Sequence, residues 1–321
     1  MPPSTLIDTL TLCRLPGLTD TMRRSLFEHF SGEISVLLEQ PTTALADMQP
    51  ASRERLRQAL LPSAIATARA RAEEELAFCY AHDIKVLIRG EKGYPHRLMA
   101  CSDGPLHLFY RGTANLDASH MVAIVGTRQI TPYGQALCQT LVEGIARLAP
   151  GCVIVSGLAY GADIHAHRAC LATGMETIGV LAHGLDQIYP PVHRQSAAEM
   201  TRQGGLLTEH FSGTHIEKIN FVRRNRIVAG LTDATIVVES AAHGGSLITA
   251  GLATDYNREV MAIPGRITDP YSAGCNALIA RGEAHAITSA EDIGRLLGWQ
   301  TSPKAAPQQP DLFASLSPAT P

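Results

Sequence analysis

The sequence is short of aromatic residues, of charge, and of the motifs by which nucleotide enzymes are usually known. Phe, Trp and Tyr make up 5% of its 321 residues, too few for a surface built on rows of stacking rings. Charged residues are 18% and the formal net charge is −3. Net charge reports on solubility and steering rather than on one pocket, so any anion site must come from local arrangement. The seven cysteines (13, 79, 101, 138, 152, 170 and 275) are scattered and form no Cys-x-x-Cys, which argues against a zinc ribbon and a thioredoxin motif. Most lie in apolar runs such as Cys152-Val-Ile-Val, where a buried, reduced thiol is expected. No run approaches the ~18 apolar residues of a membrane helix, and the first residues lack a basic-then-apolar leader pattern. These absences lead to the expectation of a soluble, cytoplasmic protein with no membrane contact.

Enzyme fingerprints are missing as well. No G-x-G-x-x-G follows the first core strand, which argues against a dinucleotide dehydrogenase, and no G-x-x-x-x-G-K-[ST] phosphate loop occurs. G-x-S-x-G, the hydrolase elbow, is absent. No cofactor is expected. Asp163-Ile-His165-Ala-His167 suggests a metal, but helix positions i and i+2 point to different faces, so no metal is expected either. Instead Asp163 is expected to cap the following helix, with the histidines packing locally.

What is present is a hydrophobic fraction of 45%, enough for a substantial core, and a change of pattern along the chain. Residues 1–80 read as helical. Leu15-Pro-Gly-Leu-Thr-Asp-Thr-Met-Arg-Arg-Ser-Leu-Phe-Glu-His-Phe spaces its apolar residues at helical intervals after a Pro-Gly turn. This is the look of a SAM-like or helix-hairpin-helix unit, or of a small packing module whose basic residues are balanced by acids such as Glu73-Glu74-Glu75. Over 81–298 short β-branched runs (86–88, 106–110, 122–125, 153–155, 177–181, 205–208, 235–239 and 260–263) alternate with helical windows starting near Tyr133, Asp163, Val192, Phe221 and Ser246. That alternation predicts parallel βαβ units in an α/β, extended Rossmann-like, doubly wound, mostly parallel sheet. Residues 299–321, rich in Pro, Ala, Gln and Ser, are expected to be a disordered tail.

In such sheets ligands bind outside the carboxyl ends of the strands, and three Gly-containing turns follow strands here. They are Val125-Gly126-Thr127-Arg128, Val155-Ser156-Gly157-Leu158-Ala159-Tyr160-Gly161-Ala162-Asp163, and Glu239-Ser240-Ala241-Ala242-His243-Gly244-Gly245-Ser246-Leu247. Glycine lets backbone N–H groups approach a ligand, and the helix that follows points its N-terminus at it, so the three together form a plausible track for phosphates. A second dense feature is Lys218-Ile-Asn-Phe221-Val-Arg223-Arg224-Asn225-Arg226, read as a loop running into a helix. Arg can grip phosphate with two hydrogen bonds, Lys adds a mobile charge, and an exposed Phe can stack on an unpaired base. At helical spacing the cations cannot all face one way. Arg224 and Arg226 have Glu209 and Glu239 as candidate partners, and Arg223 is the cation most readily aimed elsewhere.

In order and spacing, residues 84–295 resemble the DprA/Smf family of DNA-processing proteins. The resemblance is carried by Val122-Ala-Ile-Val-Gly-Thr-Arg128…Thr131-Pro-Tyr-Gly134, Val155-Ser-Gly-Leu-Ala-Tyr-Gly-Ala-Asp163 and Phe221-Val-Arg-Arg-Asn-Arg-Ile-Val-Ala-Gly-Leu-Thr232. It continues through Val237-Val-Glu-Ser240, Gly245-Ser-Leu-Ile-Thr-Ala250, Glu259-Val-Met-Ala-Ile-Pro-Gly265 and Gly274-Cys-Asn-Ala-Leu-Ile279. It implies an extended Rossmann fold, a homodimer, and non-catalytic binding of single-stranded DNA that is protected and handed to RecA recombinase in natural transformation or recombination. Carried over by position, it implies that Arg128, on the Gly126-Thr127 turn, and Ser156 with the Gly157-Leu158 backbone hold phosphates. Lys218 and Arg224 add charge at the pocket rim, Phe221 stacks on a base and Asn225 completes the network; Arg226, Gly245 and Ser246 are taken with them as candidate nucleic-acid contacts. Val222 departs from the family's Pro, which leaves Phe221 less rigidly presented, and Gly244 replaces a Ser. Residues 311–318 resemble the linker into the winged-helix domain of many members, a domain expected to be missing here. Two other readings stand beside this one. The first is a nucleotide phosphoribohydrolase of the LOG type, although His243-Gly-Gly-Ser-Leu-Ile-Thr lacks the trailing acid of that family's loop. The second is a protein-interaction scaffold.

Overall fold

The computed structural model of the chain describes residues 3–40 and 50–299. Five helices come first: α1 (Pro3–Arg14), α2 (Asp20–His29), α3 (Ile34–Glu39), α4 (Pro50–Ala59) and α5 (Pro62–Ala81). Gly17 turns the chain between α1 and α2 at φ +72°, a left-handed conformation that suits glycine. The Thr19 hydroxyl then caps α2, accepting from the Met22 N–H at 3.2 Å. The apolar residues spaced along these helices, Leu12, Leu15, Leu26, Ile34, Leu37 and Leu56 among them, close into a core of their own, which Leu106 joins from the rest of the chain. A second apolar seam, with Leu10, Ala72 and Leu76 against Phe109 and Phe211, fastens the helices to the sheet.

The remainder supplies nine strands in one sheet: β1 (Lys85–Ile88), β2 (His107–Gly112), β3 (Met121–Val125), β4 (Val153–Ser156), β5 (Thr177–Val180), β6 (Gly204–Thr208), β7 (Ala234–Val237), β8 (Glu259–Ala262) and β9 (His285–Ala286). Between and after them run α6 (His96–Met99), α7 (Pro132–Leu148), α8 (Ala162–Thr173), α9 (Arg194–Met200), α10 (Lys218–Gly230), α11 (Gly245–Asp255), α12 (Ala273–Ala280) and α13 (Ala290–Leu296). The order across the sheet is β1-β2-β6-β5-β4-β3-β7-β8-β9. Neighbours from β6 to β9 are parallel, whereas β2 joins β6, and β1 joins β2, antiparallel. This is the mostly parallel α/β sheet that the alternation predicts. β9 escapes the pattern because it is two exposed residues long.

Helices on both faces bury the central strands completely, which is why they read as continuous apolar runs. In β3, Met121, Ala123 and Val125 face one core, while Val122 and Ile124 face the other with Leu141, Val142 and Ile145 of α7, the two-residue alternation of a strand. Trp299, the first residue of the expected tail, is 8% exposed and lies against His120 at 4.9 Å between ring centres. It closes a core, and residues 300–321 lie outside the described residues. Six of the seven free cysteines are buried. Among the described residues no helix is long and apolar enough to cross a membrane.

From β3 the chain winds out through β4, β5 and β6 on one side. It then returns to lay β7 and β8 on the other side of β3. The direction of winding reverses between β3 and β7, and a crevice opens outside their carboxyl ends.

Candidate nucleic-acid interface

The three Gly turns follow β4, β3 and β7, which are adjacent strands, and backbone hydrogen bonds lock them together. The Thr127 N–H donates to the Glu239 carbonyl at 2.6 Å, and the Thr127 carbonyl accepts from the Ala162 N–H at 3.1 Å. Two glycines make this approach possible. A Cβ on Gly126 would sit 2.7 Å from that of Ala162, and one on Gly161, where φ is +76°, would sit 2.1 Å from the Thr127 carbonyl oxygen. Glu239 is buried, and its two carboxylate oxygens accept from the Thr131 N–H (2.9 Å) and hydroxyl (2.6 Å). That fixes Thr131, which caps α7 by accepting from the Gly134 N–H at 3.1 Å. At the third turn the Ser246 hydroxyl is held by Ser240 at 2.9 Å. Gly245, the first residue of α11, is exposed with nothing within 4 Å of where a Cβ would be. The N-termini of α7, α8 and α11 thus share one edge of the sheet, each presenting partial positive charge.

Arg128 emerges from the first of these turns and is exposed. Its guanidinium carbon lies 5.5 Å from the centre of the Phe221 ring, within cation–π range. Phe221 in turn meets the Tyr189 ring edge-on at 5.8 Å. Phe221 comes from the first turn of α10, which starts at Lys218, and not from the loop that the sequence suggests. Val222 explains the difference. A proline there would disfavour α-helical backbone at Phe221, and valine leaves the helix free to begin at Lys218. Phe221 is thus presented by a helix. Lys218 is exposed at the positive end of α10, where an anion would be favoured.

Other expected site residues are placed differently. Arg224 is 4% exposed and lies beneath the second turn, donating to the Gly157 carbonyl at 2.6 Å and to the Val180 carbonyl. Its Nε–H donates to the Asn225 side-chain oxygen at 3.2 Å. Burial pulls the Arg224 guanidinium down to about 10, against the upward pull of Asp163. Burial likewise raises the Asp163 carboxyl, and Arg224 lowers it. Ser156 is fully buried, its hydroxyl donating to the Ile124 carbonyl at 2.6 Å. The Gly157 N–H donates to Asp163 at 3.1 Å, and the Leu158 carbonyl accepts from His193 at 2.9 Å. Arg226 is ion-paired with Glu209, one of the partners its position suggested. Ser156, Gly157, Leu158 and Arg224 therefore build the turn from below and do not line its outer surface.

Asp163 is not the helix cap expected of it. Gly161 holds that position, and Asp163 reaches back to accept from Gly157 and Ala159. His167 is buried on Thr177 at 2.7 Å, and burial pulls its imidazole down to about 3. Among the described residues no three His, Cys, Asp or Glu side chains cluster closely enough to hold a metal ion.

Residues 85–298 match the model of the family described as DNA recombination-mediator protein A. The chain belongs to that family. DNA processing protein DprA of Bacillus subtilis strain 168 is 37% identical over 285 residues, 88% of this chain and 93% of that one. The X-ray structure of DNA processing protein A from Streptococcus pneumoniae superposes with a TM-score of 0.75 at 32% identity, covering 91% of this chain and 96% of that one. DNA processing protein A from Helicobacter pylori, solved for its single-stranded DNA binding mode, superposes with a TM-score of 0.60 at 32% identity, over 67% of this chain and 95% of that one.

In this member of the DNA recombination-mediator protein A family, the edge also carries exposed tyrosines that sequence reasoning passed over. Tyr160 of the second turn is 48% exposed and Tyr189 is 41% exposed. A low aromatic fraction argues against long rows of rings, but not against a few placed at one strand-end crevice. The Tyr160 position within a Gly-rich turn was the available signal. Tyr189 had none, because its partner Phe221 is brought near only by the fold.

Proposed function

We propose that the chain binds single-stranded DNA along the edge formed by Gly126, Thr127, Arg128, Gly245 and the start of α10. In this reading it protects the strand and hands it to RecA recombinase in natural transformation or recombination, acting as a cytoplasmic homodimer. The observation that carries the reading is the exposed Arg128 guanidinium over the Phe221 ring, beside three interlocked turns whose helices point their positive ends outward. A phosphate met by Arg128 and Lys218 places the adjoining base over Phe221 and Tyr189. The description of the family as recombination mediators supports the hand-over step. Binding without turnover is favoured over a nucleotide-hydrolase reading because the carboxylate at the end of β7, Glu239, is buried and occupied by Thr131.

The test is fluorescence anisotropy of labelled oligothymidylate across a salt series. Affinity falls with salt at a slope of about −0.7 per phosphate neutralised. Arg128→Ala and Lys218→Ala both weaken binding and flatten the slope. Phe221→Ala removes roughly 1–3 kcal/mol of stacking while leaving the slope nearly unchanged. Equal binding by wild type and Arg128→Ala would sink the interface.

A further inference from the structure

Helix α10 has a second exposed flank. Asn220, Arg223 and Arg226 line a cleft of about 820 Å³ whose opposite wall is the N-terminal helical unit, with Arg14, Arg23, Arg24 and Arg71. The volume is that of a ligand site, and the lining is rich in guanidinium. Three of these groups already have carboxylates: Arg23 with Asp20 at 2.9 Å, Arg71 with Glu75 at 2.8 Å, and Arg226 with Glu209. Arg14, Arg24 and Arg223 have none within ion-pair distance among the described residues. Arg14 and Arg24 on this wall, and Arg223 opposite, are therefore the cleft's guanidiniums without a carboxylate of their own.

The cleft's phenyl ring, Phe211, is already covered. Arg14 and Arg71 lie over Phe211, at 5.2 and 5.5 Å from its centre. Little aromatic surface remains on which a base could stack, whereas guanidinium donors suited to phosphate oxygens remain on both walls. Four acids, Asp20, Glu74, Glu209 and Glu217, share the lining with six arginines, which leaves an excess of cations in the cleft. Asn220 and Arg223 flank Phe221 in sequence, so a strand leaving the Phe221 ring has only the ~10 Å width of the helix to cross.

The geometry points to this cleft as a second phosphate-binding site, taking the backbone of the same single strand once it has passed over α10. The inference rests on the reading of the Arg128–Phe221 edge as the first site. It gives the N-terminal helices a direct part in binding, and it gives Arg223 a ligand on the far side of α10.

The test compares a short oligothymidylate of about 6 nucleotides with a long one of about 20, lengths on either side of a single compact site. Arg14→Ala/Arg223→Ala alters two exposed side chains. It weakens the long strand about tenfold and makes its salt slope shallower by about 1.4, two phosphates' worth. The short strand is unaffected. Arg24→Ala, on the helical wall, shifts the long strand in the same direction, and thermal melts verify that each variant is folded. If the double variant binds both lengths like wild type while Arg128→Ala loses both, the cleft proposal is overturned and the first site stands. If Arg128→Ala also binds like wild type, both fall. Calorimetric titration with tripolyphosphate separates the sources of phosphate. A tight site for it that the double variant abolishes, with long-strand binding unchanged, makes the cleft a free-oligophosphate site and overturns the nucleic-acid assignment.

Discussion

Arg224 lies on the same helix as Lys218 and Phe221, yet its guanidinium is enclosed between the carbonyls of Gly157 and Val180. These acceptors lie 67 and 44 residues away in sequence. Its neighbours Arg223 and Arg226 turn to the other flank. A run of cations is legible in the sequence; which of them has buried acceptors waiting is not, because helical phase and distant carbonyls decide it. Resemblance gave Arg224 a place at the pocket rim, and burial places it under the turn. Arg224→Met therefore acts through stability. It takes the guanidinium donor from two buried carbonyls, at about 1–3 kcal/mol each, and a urea titration should show a loss of about 2–6 kcal/mol. Arg128→Ala, at an exposed position, should stay within about 0.5 kcal/mol of wild type in the same titration while losing DNA affinity. A stable Arg224→Met protein that fails to bind DNA would return Arg224 to the interface.

At the scale of elements, the edge exists because three turns from three strands can touch, and two glycines allow it. The strands themselves were legible, since burial on both faces forces apolar runs, and the turns were legible from their glycines. The start of α10 was not, because the Phe-Val-Arg-Arg run carries no capping signal and Glu217 makes no side-chain cap. The mutual locking of the turns was also hidden, since it depends on strand order. Gly161→Ala tests the lock. Its methyl would meet the Thr127 carbonyl oxygen in a backbone conformation nearly closed to other residues. Strain and overpacking together cost about 2–5 kcal/mol, and binding weakens as Thr127 and Arg128 shift. Gly245→Ala, in open space, is the control for stability, with an unfolding midpoint close to wild type. Equal midpoints for the two variants would show that the turns are not coupled.

At the scale of the whole molecule, the helical unit and the sheet are joined by a seam that holds His107 between Phe109 and Phe211, with ring centres 5.0 and 5.3 Å away. His210 adjoins the same seam. Burial pulls His107 down to about 3, and pulls His210, with help from His183 and nearby arginines, down to about 4. His167, in α8, is likewise drawn to about 3. All three are neutral in the fold, whereas the unfolded chain takes up their protons near 6.5. The stability they contribute is complete above pH 6.5 and is lost as the pH falls toward 4, at up to about 1.4 kcal/mol per pH unit for each. Asp163 and Glu209, raised by burial, have the opposite sign. The fold takes up their protons ahead of the unfolded chain as the pH falls, which offsets part of the loss. Melting temperature should therefore fall between pH 7 and pH 5. His167→Gln keeps a hydrogen-bonding group near Thr177 and removes the titration, so it should make that fall shallower, His167 being one of several imidazoles that burial lowers. A His167→Gln profile parallel to wild type across this range would mean that the imidazole is not held neutral in the folded protein.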